Sequence, residues 1–199
     1  EMVKFAKNGS TVTTAATKLA RAHTGRKYIA CCVDHPFFSY DDWFIGHTLC
    51  DNGVPEAAKA LSVTYDSTRP ETLDALFTRY PDRIACVITE PEEAVPTPPD
   101  AIRAVRELAR RYGAVFIADE MVTGYRAGWP GTSARLGLDP DLATWGKAVG
   151  NGFAFGALTG RADIMDLGGI QQRRAPRVFL ISTTHGGETH AIAAGLATI

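Results

Sequence analysis

Two short apolar runs, each ending at an ionisable side chain, constrain this sequence more than any other feature. The first, Ala114 to Ala118, is followed directly by the carboxylates Asp119 and Glu120. The second, Leu142 to Trp145, is followed after one glycine by Lys147. Apolar runs of this length bounded by charge are typical of buried parallel strands, and open α/β sheets bind ligands at the carboxyl ends of such strands. The sequence therefore predicts that an acid and an amine converge at one sheet edge.

Strand and helix patterns alternate along most of the chain. The other strand candidates are Tyr28 to Val33, Leu61 to Tyr65, Ile84 to Ile88 and Phe155 to Gly160. The helix candidates are Val12 to His23, Pro70 to Tyr80, Asp100 to Tyr112 with Asp100 as its cap, Ala162 to Leu167, and a last helix from about Glu188. This alternation predicts a three-layer α/β domain around a mostly parallel sheet.

Composition narrows the possible partners and the compartment. With 45% hydrophobic and 22% charged residues, the 199-residue chain has the proportions of a globular domain with a sizeable core. Its formal net charge of -1 gives no reason to expect nucleic acid or an anionic membrane as a partner. No apolar run reaches the roughly 18 residues of a membrane span. The four cysteines, which lack C-x-x-C spacing, predict reduced core thiols in a cytoplasmic protein: Cys31, Cys32, Cys50 and Cys86.

Taken one at a time, the two charged positions have ordinary explanations. An aspartate after an apolar strand commonly caps a helix or forms a turn, and a lysine before glycines commonly lies in a solvated loop. A strand that ends in Asp-Glu also imitates the Walker B element of a nucleoside triphosphatase. That class requires the string G-x-x-x-x-G-K-[ST], which does not occur, and Ala148 after Lys147 has no hydroxyl for Mg²⁺.

A converging acid and amine suit pyridoxal phosphate chemistry, in which a lysine holds the cofactor as a Schiff base and an aspartate keeps the pyridine nitrogen protonated. The segments DEMVTGYRAG, GLDPDLATWGKAVGNG and GALTGRADIM resemble the core signature of the class III aminotransferases, and within them the glutamate-1-semialdehyde aminomutase branch. The resemblance implies the fold type I architecture of pyridoxal-phosphate-dependent transferases. It also implies that Lys147 is the Schiff-base lysine and that Asp119 faces the pyridine nitrogen.

The turn at Lys7 to Val12 precedes the first predicted helix. A small turn with a glycine and a hydroxyl before a helix is either an anion site or simply a well-capped helix start. The family has N-S-G-T-E-A at this place and binds the cofactor phosphate with it, whereas this chain has K-N-G-S-T-V. The resemblance therefore assigns the glycine and hydroxyl roles to Gly9 and Ser10, with Asn8 in place of the family's serine.

Four further cofactor contacts follow from the resemblance. The aromatic segment DHPFFSYDDWFIG would by itself be a satellite hydrophobic cluster. The resemblance places Phe37, or its neighbour Phe38, at the ring that stacks on the pyridine, and Met121 at the valine that packs on the opposite face. It places Glu90 beside the cofactor. Thr184 corresponds to a threonine that reaches the phosphate of the partner subunit's cofactor, which implies a homodimer.

The resemblance leaves three functions open. One is a transaminase that moves an amino group between an amino donor and a keto acid, aldehyde or keto sugar. The second is a glutamate-1-semialdehyde 2,1-aminomutase, which transfers the amino group within one molecule. The third is a non-catalytic dimerisation or regulatory module. The departures EPEEAVPTPP and THGGETH favour a divergent transaminase, and the intact pair of Asp119 and Lys147 argues against the module.

The resemblance also bears on domain organisation and on metals. Family members are longer than this chain, so residues 1–199 are expected to be the cofactor-binding large domain without the N-terminal segment and the C-terminal small domain. His185, Glu188 and His190 could suggest a metal cluster. No further ligand group with matching spacing accompanies them, and we expect no metal site.

Overall fold

The computed structural model describes residues 2–33, 37–91, 97–170 and 176–199. The strands in these ranges are β1 (Met2–Ala6), β2 (Tyr28–Cys32), β3 (Ser62–Tyr65), β4 (Ile84–Thr89), β5 (Val115–Asp119), β6 (Leu142–Gly146) and β7 (Gly156–Gly160). Across this described part they form one sheet in the order β1-β7-β6-β5-β4-β2-β3. Strands β2 to β6 pair in parallel, and β7 pairs antiparallel with both β6 and β1. The expected mostly parallel sheet is confirmed.

Helices cover both faces of the sheet. They are α1 (Gly9–Thr24), α2 (Asp42–Ile45), α3 (Glu56–Lys59), α4 (Pro70–Arg79), α5 (Pro99–Arg111), α6 (Thr132–Leu136), α7 (Ala162–Met165) and α8 (Thr189–Thr198). Val12 and Leu19 of α1 bury against one face together with Ile164 of α7. Phe77 of α4 and Val105 of α5 bury against the other. This arrangement is the expected three-layer α/β architecture.

Helix α5 shows how the sequence specifies one of these layers. Its buried residues recur at helical spacing and form a single apolar stripe: Ile102, Val105, Leu108 and Ala109. The predicted cap is wrong, because Pro98 is the N-cap residue and makes no side-chain cap hydrogen bond. Asp100 lies instead inside the first turn, where its carboxylate contacts the guanidinium of Arg103 at 2.9 Å. Pro99, with its φ preset for helix, begins the helix in place of a polar cap.

Several other boundaries differ from the sequence prediction. Strand β1 was not expected, because MVKFA has a lysine in its centre and lies at the edge of the sheet, where no continuous apolar run is required. Helix α1 begins at Gly9 rather than Val12, since the Asn8 side chain accepts a hydrogen bond from the Thr11 amide at 2.9 Å and caps it there. Helices α2 and α3 are single turns that none of the helix candidates includes.

The cysteine prediction holds for three of the four thiols. Cys31, Cys32 and Cys86 are buried and free, whereas Cys50 is exposed and is therefore not a core residue. Burial raises the pKa of the Cys86 thiol to about 12. Among the residues that the structure describes, no helix combines the length and the apolar character needed to cross a membrane.

Candidate active site

The ends of β5 and β6 bring the predicted acid and amine to the same edge of the sheet. These strands are parallel neighbours, with Asp119 opposite Thr144 in the ladder, and Lys147 follows the last residue of β6. Asp119 and Lys147 both line a cavity of about 530 Å³. The other described residues of its lining are Lys7, Asn8, Gly9, Ser10, Phe37, Phe38, Tyr40, Met121, Phe153, Ala154 and Phe155. Seven of the nine predicted site residues therefore surround one cavity.

Asp119 is a buried carboxylate with a defined orientation. Asp119 is only 2% exposed. Its Oδ1 atom accepts a hydrogen bond from the Met121 amide at 3.0 Å and another from the Thr144 hydroxyl at 2.8 Å. Since both donors are themselves buried in the fold, they hold the carboxylate in one position at the cavity wall.

Lys147 occupies an unusual backbone conformation. It opens the 3-10 turn Lys147–Gly150, and its φ of 45° lies in the left-handed region that non-glycine residues rarely adopt. Residues held in that region cost on the order of 1–3 kcal/mol, and such strain is concentrated at functional sites. This tight turn takes the chain away from β6 directly after the strand ends. Lys147 therefore lies at the edge of the sheet, where it lines the cavity.

The N-terminus of α1 forms a second wall of the cavity. Asn8 caps the helix with its side-chain oxygen, which accepts from the Thr11 amide, and Asn8, Gly9 and Ser10 all line the cavity. The Ser10 hydroxyl accepts a hydrogen bond from the Tyr40 amide at 3.1 Å, so its own proton is available for a different acceptor. A Cβ atom at Gly9 would lie 3.2 Å from the Met121 sulfur, and a larger residue would narrow the cavity there.

The aromatic segment is fastened to α1 by threonine hydroxyls. Thr13 donates to the Phe38 carbonyl at 2.8 Å, and the indole of Trp43 donates to Thr14 at 2.8 Å. This anchoring separates the two candidate rings. Both residues line the cavity, but Phe38 is 2% exposed and packs in the core, whereas Phe37 is 53% exposed. Residues 34–36 of the same segment lie outside the described residues.

The remaining predicted site residues fall in three places. Met121 is buried in the cavity wall, and its sulfur lies so close to Gly146 that a Cβ there would approach it to 2.6 Å. Glu90 is buried at the end of β4, and Thr184 is exposed in the segment before α8. Neither Glu90 nor Thr184 belongs to the described lining of the cavity. Residues 92–96, which include most of the divergent segment after Glu90, lie outside the described residues.

Sequence reasoning missed five cavity-lining residues, namely Lys7, Tyr40, Phe153, Ala154 and Phe155. Tyr40 belongs to the aromatic segment and hydrogen-bonds through its amide to Ser10, but its sequence neighbours gave no indication of this. Phe153 and Phe155 follow the glycine run after Lys147, where two aromatics in a turn were the available signal. Lys7 directly precedes the turn at α1, and its position in the family resemblance was the available signal there.

Glu120, the neighbour of Asp119, is also buried but does not belong to the cavity lining. Its two carboxylate oxygens accept hydrogen bonds from four donors. The Ser133 amide at 2.6 Å and the Ser133 hydroxyl bond Oε1, while the Thr132 amide at 3.2 Å and the Thr123 hydroxyl bond Oε2. A Cβ at Gly131 would come within 2.6 Å of this carboxylate. Glu120 thus fastens the loop after β5 to the start of α6.

His185, Glu188 and His190 lie together, and Lys7 joins them. The Glu188 carboxylate pairs with Lys7 and contacts His185 Nδ1 at 2.9 Å and His190 Nε2 at 3.1 Å. Within the described ranges, no group of three His, Cys, Asp or Glu side chains is placed so that it could hold a metal ion. Glu188 is thus the centre of this cluster, through its ion pair with Lys7 and its contacts with the two imidazoles.

Comparison with known proteins identifies the class to which this fold and site belong. The model of the family described as aminotransferase class-III matches residues 1–199. The chain therefore belongs to the class-III aminotransferase family. It is 39% identical over 217 residues to a glutamate-1-semialdehyde 2,1-aminomutase of Deinococcus radiodurans, an alignment that covers 100% of this chain and 48% of that protein.

Solved structures agree in fold. An omega-transaminase from Sphaerobacter thermophilus superposes with a TM-score of 0.88 at 27% identity, over 100% of this chain and 49% of that chain. A structure described as a transaminase with PLP bound superposes with a TM-score of 0.87 at 27% identity, again over 100% of this chain and 49% of that chain. The expected fold type I architecture and the family resemblance are confirmed. The chain spans about half the length of these relatives.

Proposed function

We propose that this chain is the cofactor-binding large domain of a pyridoxal-phosphate-dependent transaminase. The observation that carries the proposal is the placement of Asp119 and Lys147 on one cavity that is also walled by the N-terminus of α1. Its substrates would be a small-molecule amino donor and a carbonyl acceptor, namely a keto acid, an aldehyde or a keto sugar. Membership of the class-III aminotransferase family supports the same conclusion.

The residues around the cavity fit this cofactor. Its volume of about 530 Å³ lies within the range of small-molecule sites, roughly 300–1,000 Å³. A helix N-terminus suits a phosphate group, an accessible aromatic ring suits a planar heterocycle, and the acid and the amine suit the two reactive positions. When bound, pyridoxal phosphate supplies an aldehyde that a lysine can hold covalently and a protonated ring that withdraws electrons from the Cα–H bond of the substrate.

Lys147 has two roles in this proposal. Its amine would hold the cofactor aldehyde covalently. The same amine, when free, would accept the proton from the substrate Cα as a general base and return it as a general acid. The tight turn that begins at Lys147 supports both roles, because it keeps the amine at the cavity while the rest of the chain turns away.

The other cavity residues orient and stabilise the cofactor. Asp119 holds a proton on the pyridine nitrogen by charge pairing, and its bonds to Met121 and Thr144 fix its direction. Phe37 and Met121 would pack on the two ring faces. The backbone at Gly9 and the Ser10 hydroxyl would bind the phosphate, while Asn8 orients this turn through its helix cap.

Two predicted residues act from outside this lining. Glu90, buried at the end of the adjacent strand β4, would influence the substrate side of the site. Thr184 would complete the phosphate site of a partner subunit in a homodimer. The exposure of Thr184, away from the cavity of its own chain, supports this assignment. The buried free thiols support a reducing, cytoplasmic compartment.

A second candidate function is intramolecular transfer by an aminomutase, which the identity to the Deinococcus radiodurans protein favours. Product analysis with and without an external keto acid separates the two. A transaminase turns over its amino donor catalytically only when a carbonyl acceptor is present, and without an acceptor it consumes at most one equivalent of donor per site. An aminomutase converts glutamate-1-semialdehyde without an acceptor. A protein that binds pyridoxal phosphate and performs neither reaction would be the non-catalytic module, and failure to bind the cofactor would refute the proposal.

A further inference from the structure

Lys7 is a cation at the start of the turn that precedes α1. It lies between Ala6, the last residue of β1, and Asn8, the cap of α1, and it lines the same cavity as Gly9 and Ser10. Its side chain is 23% exposed, so the ammonium is partly withdrawn from water. The matching family turn has an uncharged asparagine at this position, and the charge is therefore a property of this chain.

Glu188 holds the Lys7 ammonium in place. The carboxylate of Glu188, at the N-cap of α8, pairs with Lys7 and is itself contacted by His185 and His190. The hydrogen bond from Lys7, more than any other neighbour, lowers the pKa of Glu188. The carboxylate is therefore charged at neutral pH. An ammonium has three N–H donors. The bond to Glu188 uses one of them, so Lys7 keeps donors for a second anion.

The charges around the cavity indicate which anion this is. The described lining contains two cations, Lys7 and Lys147, and one carboxylate, Asp119. The proposed function commits Lys147 to the aldehyde and Asp119 to the ring nitrogen. A phosphate monoester carries a charge of about -1.5 to -2 at neutral pH. The amides of the α1 turn and the Ser10 hydroxyl supply hydrogen bonds to such a group but no full positive charge.

We propose that the ammonium of Lys7, held by Glu188, donates a hydrogen bond to the phosphate of the bound cofactor. This inference rests on the proposed function, and it adds a charged contact to the α1 turn. A charge-assisted bond of this kind changes affinity by about tenfold to a hundredfold. It also connects the α1 turn to α8, since Lys7 contacts both the cavity and the N-cap residue of α8.

The test compares the affinity of the cofactor-free protein for pyridoxal 5′-phosphate and for pyridoxal, which has the same aldehyde and ring without the phosphate. In the purified full chain, Lys7→Met is expected to weaken pyridoxal 5′-phosphate binding by about tenfold to a hundredfold and to leave pyridoxal binding unchanged. Lys4→Met is the matched control, because Lys4 lies on the same strand, β1, outside this cavity lining. It is expected to change neither affinity.

A second variant separates phosphate binding from a purely structural ion pair. Glu188→Gln keeps Lys7 and a side-chain oxygen that can still accept its hydrogen bond, but removes a negative charge beside it, so pyridoxal 5′-phosphate binding is expected to be equal or stronger. Equal losses in Lys7→Met and Glu188→Gln would overturn the inference, as would a Lys7→Met variant that loses affinity for both compounds or for neither. A Lys7→Met variant that raises KM only for carboxylate-bearing amino donors would assign Lys7 to the substrate and also overturn it. If the unsubstituted chain binds neither compound, the proposed function itself fails.

Discussion

Asp119 and Glu120 are adjacent carboxylates at the end of one strand, and the structure uses them in opposite ways. Both are buried. Asp119 lines the cavity and is oriented by the Met121 amide and the Thr144 hydroxyl. Glu120 turns to the other side, where its bonds to residues 123, 132 and 133 close the following loop. Successive side chains of a strand point to opposite faces, and this alternation separates the two carboxylates.

The comparison shows that burial and hydrogen bonding do not by themselves identify a reactive group. Glu120 is as deeply buried as Asp119, and its oxygens are already engaged by two backbone amides and two hydroxyls of the protein. What distinguishes Asp119 is its access to a cavity that also contains an amine. Substitutions at the two positions should therefore affect different measurements.

The largest effect is expected for Asp119→Asn on turnover. The asparagine oxygen can still accept the bonds from Met121 and Thr144, so the fold and cofactor binding are retained. The charge that stabilises the protonated ring nitrogen is lost, and turnover is expected to fall by about a hundredfold or more. Steady-state kinetics with cofactor occupancy measured in parallel checks this. Near-normal turnover with bound cofactor would remove Asp119 from the proposed role.

Glu120→Gln is expected to lower stability instead. Each Glu120 oxygen accepts one backbone N–H and one hydroxyl, so the amide NH₂ must face an N–H donor in either orientation. The free energy of unfolding is expected to fall by about 2–3 kcal/mol, the cost of unsatisfied buried polar groups. Denaturant titration measures it, with Asp119→Asn as the matched control. A Glu120→Gln variant with unchanged stability and greatly reduced turnover would contradict the comparison, because Glu120 would then behave as the reactive carboxylate.

A substitution with a smaller expected loss of turnover tests how Asp119 is oriented. Thr144→Val removes the hydroxyl that bonds Asp119 Oδ1 and keeps the β-branched shape, so the carboxylate is less well oriented. Turnover is expected to fall by about tenfold, with a changed pH profile and little change in melting temperature. Thr159→Val is the control, because that hydroxyl bonds the Trp145 indole on β6 and not Asp119. If both variants behave alike, the orienting role of Thr144 is wrong.

The smallest effect is expected at Asp66, a partly exposed carboxylate in the loop after β3. Hydrogen bonds from Thr68, and then the Arg69 guanidinium, lower the pKa of Asp66 to about 2. Because this pKa is below the ordinary value of 3.8, the charged form of Asp66 stabilises the fold. The stabilisation is complete above about pH 3.8 and is lost as the pH falls toward about 2. Asp66→Asn should flatten the stability profile over this acidic interval. Water screens the carboxylate, which keeps the effect small.

These contrasts also show which strands and contacts could be predicted from the sequence. The central strands β4 and β5 were recognisable because both of their faces are buried and their apolar runs are continuous. The convergence of Asp119 and Lys147 followed from two such runs. Strand β1 has neither property and was missed. The contacts that occupy Glu120 come from residues 132 and 133, after an irregular loop whose course no local pattern specifies.

The choice between Phe37 and Phe38 could not be made from the sequence for the same reason. The two neighbouring phenylalanines differ in exposure, 53% for Phe37 and 2% for Phe38, because threonines of α1 anchor the segment through the Phe38 carbonyl and the Trp43 indole. The Lys7 to Glu188 pair likewise joins positions far apart in the chain. Sequence patterns therefore located the site, whereas long-range hydrogen bonds determined which neighbouring side chain faces it.

The most direct test of the central claim is to locate the covalent attachment of the cofactor. The protein is incubated with one equivalent of pyridoxal 5′-phosphate, reduced with borohydride, digested, and analysed by peptide mass spectrometry. The pyridoxyl phosphate group is expected on Lys147 alone, and Lys147→Ala is expected to lose both the modification and the absorbance band of the lysine-bound cofactor. Modification at a different lysine, or a band that persists in Lys147→Ala, would contradict the assignment.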